Sequence, residues 1–202
     1  MFELVDPNNP LLKALAALQP LALFSGAAGL ILNAIAFMNT NKMARQQKSY
    51  EFMREFTSDV QLRACRYFIQ DEFRALPIYE EWCASPWEAR KTPIRLVIES
   101  KEETLELGYI VNKVSHFYDR LGILCAAKAI DADLIVAFIG GTIVHAWSIL
   151  EPGIKADRGR REKNILADNA KYASQYIKYQ AGFAYLASVA RHKNPNFGRK
   201  LV

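Results

Sequence analysis

The sequence predicts an all-α protein, with one N-terminal transmembrane helix followed by a bundle of about four to five helices. Three observations predict it. Pro20 to Met38 is a run of nineteen residues without a charge. Beyond it, apolar residues recur at helical spacing in several long stretches. No strand-period alternation persists anywhere in the 202 residues.

The apolar run, PLALFSGAAGLILNAIAFM, is roughly 28 Å long as a helix, close to a hydrocarbon core of about 30 Å. Eight of its residues are Leu, Ile or Phe. On the insertion scale they favour the bilayer by about 2 to 5 kcal/mol before Asn33 and the glycines subtract their share. Upstream, Leu11–Gln19 continues the apolar pattern, with Asn8 or Asn9 as cap and Pro10 in the first turn. Residues 1–19 read as a tail and short interfacial helix, 20–38 as the span, and 39–202 as a cytoplasmic helical domain. Two alternatives compete with a span. A cleaved signal peptide wants a basic start and a shorter apolar region, whereas this start carries Glu3 and Asp6. A buried core helix is the other.

The flanks set the orientation. Lys42, Arg45 and Lys48 follow the run without an acid, and only Lys13 precedes it. The excess of positive charge on the inner side places the N-terminus outside and the main domain in the cytoplasm. Within the span, Ser25 and Gly29 make a small-xxx-small pair, and Asn33 lies one turn further on the same face. Small residues let membrane helices approach, and an amide hydrogen-bonds across the contact, so this face is expected to meet another helix.

Asn39 to Phe73 reads as one helix, with Phe52, Phe56, Val60 and Tyr67 on its apolar side. Pro77, Pro86 and Pro93 mark 74–92 as a connection with one short helical turn around Tyr79–Cys83. Thr92-Pro93 opens the next helix, which runs to Leu107, bends at Gly108 and continues to about Lys128. Asp131 caps a helix over 132–150 that Pro152-Gly153 ends. The charged stretch 156–163 reads as a flexible link before a last helix from about Glu162 to Arg191, and the tail from His192 is basic.

At 114–158 the residues resemble a known family. Aromatic His116, Phe117 and Tyr118 lead to Leu121-Gly122, and Ile130-Asp131-Ala132-Asp133-Leu134 opens the next helix. That helix carries Gly140, Gly141 and Trp147 and closes on Leu150-Glu151-Pro152, with Arg158 beyond. The stretch resembles DUF4760, a family of uncharacterised bacterial proteins. The resemblance implies an N-terminal membrane helix, a bacterial inner-membrane location and no transferable reaction. The long 74–108 connection departs from the pattern.

Composition and motifs bound the chemistry. Cys65, Cys83 and Cys125 are odd in number and far apart, which fits a reducing compartment and neither a disulfide framework nor a zinc site. The chain carries +5; taking Lys13 from its 26 basic side chains, and Glu3 and Asp6 from its 21 acidic ones, leaves +6 on residues 39–202. That suits anionic headgroups rather than nucleic acid, because acids interleave with the bases. His116, His145 and His192 form no helical ligand pair. No phosphate loop, nucleophile elbow or dinucleotide fingerprint occurs. Gly140-Gly141 falls mid-helix, where close packing explains it.

The function expected is therefore a non-catalytic membrane-anchored accessory or scaffold subunit, without cofactor or metal. Its partners are membrane lipid and either other membrane-protein subunits or a second copy. Trp82 and Trp87 are core anchors or partner contacts. Arg158, Arg160, Arg161 and Lys163 face anionic lipid or an acidic partner, or are solvated. The alternative is an all-α enzyme around His145, Asp131 and Tyr118, or a ligand-sensing module with a pocket in the cytoplasmic domain.

Overall fold

The computed structural model describes residues 10–168 and 180–197, with side chains described for 32–163 and 180–197. It divides into two compact units, Met1–Ala44 and Arg45–Val202. Helix α1 (Pro10–Ser58) supplies residues to both. Helix α1 runs on through Pro20, so the short helix expected before Pro20 is not separate from it. Proline's fixed φ is already helical, so Pro20 removes one hydrogen bond without stopping α1.

In the first unit, Leu32, Ile35, Phe37 and Met38 are between half and two-thirds exposed. At about 100° per residue these positions spread around the whole helix. Asn33 is exposed, and Thr40 Oγ1 donates back to Ala36 O at 2.9 Å. Ser25 and Gly29 lie on the α1 backbone, and their side chains fall outside the described residues.

The second unit opens with the end of α1. Its continuation to Phe73 is broken at Asp59, which has an extended backbone (φ −71°, ψ 100°) and caps α2 (Val60–Tyr67). Its Oδ1 accepts the Leu62 N–H at 2.8 Å. A short acidic side chain that can bond its own backbone favours such a cap over a helix interior. Burial would raise the Asp59 pKa, but the Leu62 N–H and the Lys113 ammonium (2.9 Å) outweigh it and hold the carboxyl below its usual value of 3.8. A depressed carboxylate adds stability above its unfolded pKa and loses it as pH falls through the folded one. Asp59→Ala is therefore expected to cost about 1 kcal/mol at neutral pH, with the gap to the natural chain closing below about pH 3.8. Denaturation midpoints of both proteins across that range check it.

A π-turn (Phe68–Glu72) and a 3-10 turn (Phe73–Ala75) carry the chain to α3 (Ile78–Ala84), the short helix expected there, and to α4 (Pro86–Ala89). The helix expected over 93–107 is instead a hairpin. Strand β1 (Pro93–Ile98) pairs antiparallel with β2 (Lys101–Glu106), Ile98 opposite Lys101. Ile94, Leu96 and Ile98 turn inward while Arg95 and Val97 face out, a period of two over only three inward residues. Glu99 and Ser100 both take positive φ (49° and 66°), as a two-residue hairpin turn of the primed type requires.

Helix α5 (Leu107–Ala126) follows without the bend expected at Gly108. It stops where Lys128 turns left-handed (φ 55°) and Ala129 N–H reaches back to Leu124 O at 2.9 Å. Helix α6 (Ala132–Asp168) starts as expected: Asp131 Oδ1 accepts the N–H groups of Asp133 and Leu134. It does not end at Pro152-Gly153. Ile154 is buried, Trp82 fills the space that a side chain at Gly153 would occupy, and Asp157 is bridged to the next turn. Packing outweighs one lost hydrogen bond. The stretch 156–163 is therefore helical rather than a flexible link. Residues 169–179, with Tyr172, Tyr176 and Tyr179, lie outside the described residues; α7 (Ala181–Lys193) completes the bundle.

The core of this unit lies between α5, α6 and α7. Tyr118 and Phe183 stack with ring centroids 4.9 Å apart, and Trp147 meets Phe183 edge-on at the same distance. Phe197, beyond α7, covers Gly140, which explains small residues at 140–141 by packing. Among the described residues, the 132–163 stretch of α6 is the one helix long and apolar enough to cross a membrane. More than half of its most apolar part is buried inside this unit, as the central helix of a globular core would be.

Candidate functional site

Five of the side chains singled out above come from two distant stretches, 82–87 and 158–161; the fold draws Trp82, Trp87 and Arg161 into the lining of one cleft and stacks Arg160 on Trp87 beside it. Pro86 opens the four-residue α4, its missing N–H costing nothing in a first turn, and sets Trp87 half-exposed at the surface. Arg90, three residues on, lays its guanidinium 3.8 Å from the centre of the Trp87 ring. Arg160 reaches the same ring at 4.4 Å from α6. Gly108 N–H donates to Arg90 O at 2.8 Å, and any side chain at 108 would collide with Arg90. The Arg90 backbone is thus pinned.

Asp157, 8% exposed, accepts Arg160 Nη2 at 3.1 Å and Arg161 Nε at 2.6 Å. A buried carboxylate between two guanidiniums orders both, and charge-assisted bonds of this kind are about twice as strong as neutral ones. Trp82, 6% exposed, is a core anchor of α3 packed on Gly153, not an exposed surface. Its indole N–H is buried without a partner. The cleft holds about 100 Å³ and is lined by Trp82, Trp87, Arg90, Glu106, Asp157 and Arg161, among others. Arg158 is half-buried on the same helix with interactions of its own, and Lys163 is exposed and outside the cleft.

Sequence reasoning missed Arg90 and Asp157. The signal was available: Arg90 follows Trp87 by three residues, and Asp157 precedes Arg160 and Arg161 by three and four, the spacings that meet on a helix. Reading 156–163 as a flexible link hid the second.

Two larger concavities have different chemistry. A groove of about 640 Å³ between α1–α2 and α5 has Leu62, Phe117 and Leu124 in its lining. Paired charges cross it: Glu55 with Arg120, and Asp59 with Lys113 at 2.9 Å. The Asp59 hydrogen bond holds the Lys113 pKa above its usual value. A shallower apolar hollow of about 510 Å³ lies between Tyr50, Met53 and Thr57 of α1 and Leu134 and Phe138 of α6.

His145, Asp131 and Tyr118 do not converge on any of these three cavities. His145 Nε2 bonds Gln70 O at 3.1 Å, tying α6 to the π-turn. Asp131 is occupied as a cap, and its own N–H donates to Ser49 Oγ at 2.9 Å. Tyr118 is fully buried beside Arg66, and that burial pushes its phenol well above the usual range. The cysteines are free; burial raises the Cys65 and Cys125 thiols to about 11, far from a reactive thiolate. Among the described residues, no group of three His, Cys, Asp or Glu side chains is placed to hold a metal.

No curated protein and no solved structure matches the chain. The sequence profile of a domain of unknown function, DUF4760, matches residues 23–175. That stretch starts inside the apolar run, crosses the hairpin region that sequence reading treated as a departure, and contains every residue of the cleft. The chain belongs to the DUF4760 family.

Proposed function

We propose that this is a membrane-anchored helical protein that serves as a non-catalytic accessory or scaffold subunit of a larger membrane assembly. The observation that carries the reading is the first unit: Leu32, Ile35, Phe37 and Met38 are exposed on every side of α1. An amphipathic helix covered by a single partner needs only one apolar stripe, whereas a helix apolar all round belongs in lipid or deep inside an assembly. The family match begins at residue 23, so part of this segment belongs to the matched domain, unlike a leader that is cut away. Lys42, Arg45 and Lys48 then orient the second unit to the cytoplasm, against the inner membrane of a bacterial cell.

The subunit part of the reading is supported by what a contact surface needs. Asn33 is an exposed amide within the apolar segment, and an amide in lipid gains about 0.6–2 kcal/mol from a helix partner. The full-length chain is expected to stay with membranes through alkaline carbonate extraction. Replacing both Leu32 and Ile35 with Arg should release it, since each charge at mid-span costs about 2.5–3.5 kcal/mol. Release of the natural chain by carbonate would overturn the anchor. Mild-detergent purification with cross-linking tests the subunit: a clean monomer, unchanged by Asn33→Leu, would count against it.

A further inference from the structure

We propose that the cleft between α3, α4 and α6 binds a phosphate group. Unspent donors converge there. Arg90 makes no ion pair among the described residues, and its guanidinium is held flat on Trp87. The Trp82 indole N–H, on a side chain 94% buried, has no partner and its ring lines the cleft. The Nε–H of Arg160 is likewise buried and unpartnered beside Trp87. A buried donor left unpaired costs about 1–3 kcal/mol, so one in the wall of the cavity, with a second close behind Trp87, calls for an acceptor.

Charge and shape define that acceptor. In the lining Arg90 and Arg161 balance Asp157 and Glu106, and Arg160, stacked on Trp87 beside the cleft, adds one positive charge. Asp157 is spent on two arginines, and Glu106 is exposed at the mouth. The donors come from three elements rather than one plane, which suits a tetrahedral oxyanion better than a flat carboxylate. A volume of about 100 Å³ admits one such group and excludes a nucleotide. Arginine presents a planar fork to phosphate oxygens, and Trp87 fixes that fork before the ligand arrives. The phosphate is free or belongs to a lipid headgroup, and the site does not depend on the anchor proposed above.

The test uses the full-length chain in a maltoside detergent, which carries no phosphate. Inorganic phosphate is titrated while tryptophan emission and Tm are followed, with chloride at matched ionic strength as reference. The expected result is a saturable emission change and a rise in Tm with phosphate and not with chloride. Arg90→Gln should weaken binding roughly tenfold, the value of one charge-assisted bond. Arg90→Lys keeps the charge and loses the fork, so it serves if Arg90→Gln fails to fold; a several-fold weakening is expected. Trp82→Phe should also weaken binding, and although the lost volume lowers the ligand-free Tm, the Tm rise on adding phosphate should shrink as well. Lys163→Gln, outside the cleft, should bind as the natural chain does. A second arm replaces phosphate with a short-chain phosphatidic acid: a response there alone assigns the site to headgroups, and a response to inorganic phosphate assigns it to the free ion. No saturable response in either arm, or binding by both Arg90 variants as tight as that of the natural chain, overturns the proposal.

Discussion

Gly182→Ala is expected to destabilise the second unit by about 3 kcal/mol or more, enough to remove a large part of an ordinary domain's 5–15 kcal/mol. Helices α5 and α7 cross at Gly122 and Gly182 with their backbones in direct contact. A Cβ on Gly182 would overlap Asp119 O and come within 2.9 Å of Ile123 N. A Cβ on Gly122 would overlap the carbonyl of Gly182 in turn. Neither neighbour is a flexible side-chain end, so relief requires separating the helices. That separation also pulls Phe183 away from Tyr118 and Trp147, and its N–H away from Asp119 Oδ1 at 3.1 Å. Chemical denaturation in detergent checks it, with Gly159→Ala as the contrast. Gly159 has nothing within 4 Å of its Cβ position and sits inside α6, so alanine there should add up to about 1 kcal/mol. Equal effects of the two substitutions would show that the crossing is looser than described.

That crossing was only half legible. Ile110, Val114, Phe117 and Leu121 recur at helical spacing and are buried along α5, and Asp131 marked the start of α6. Both are local signals, and both hold. What Gly122 approaches depends on α7, more than fifty residues away, and no period reports that. The hairpin at 93–106 was missed for a local reason. The alternation of Ile94, Leu96 and Ile98 covers only three inward residues, Lys101–Glu106 is mostly charged, and the turn is made by Glu99-Ser100 without the Gly or Asn that announces positive φ. Pro152-Gly153 is the reverse case, a strong stop signal overruled because Trp82 packs where a side chain would have stood. The cleft inherits both errors. Trp82, Trp87 and Arg161 of its lining, and Arg160 beside it, were visible, but their meeting rests on α6 running past Pro152. The helix over 32–38, by contrast, follows from a local apolar run without Gly or Pro, and its Leu32, Ile35, Phe37 and Met38 stand exposed.

Phe73→Ala carries the second large expected effect, a loss of about 3–5 kcal/mol for a fully buried ring whose space cannot refill. Phe73 sits in the 3-10 turn between the π-turn and α3, at the position where the helix from Asn39 was expected to give way to the 74–92 connection. Three aromatic rings surround it: Phe68 at 5.6 Å, Tyr79 edge-on at 5.3 Å and Trp82 at 6.2 Å. Two of the three hold α3 on α6, Tyr79 through its hydroxyl on Ile149 O at 3.1 Å and Trp82 through Gly153. Removing Phe73 therefore loosens the wall of the cleft as well as the core beneath it. Two readouts separate these effects. The denaturation midpoint reports the cavity, and Phe73→Leu should recover most of it, because volume rather than the ring sets that term. A red shift of tryptophan emission reports water reaching Trp82, and it should persist in part with leucine, which lacks the edge to meet the indole. A loss under about 1 kcal/mol, with unshifted emission, would mean that 73–84 is a surface connection after all and that the cleft lacks a rigid wall.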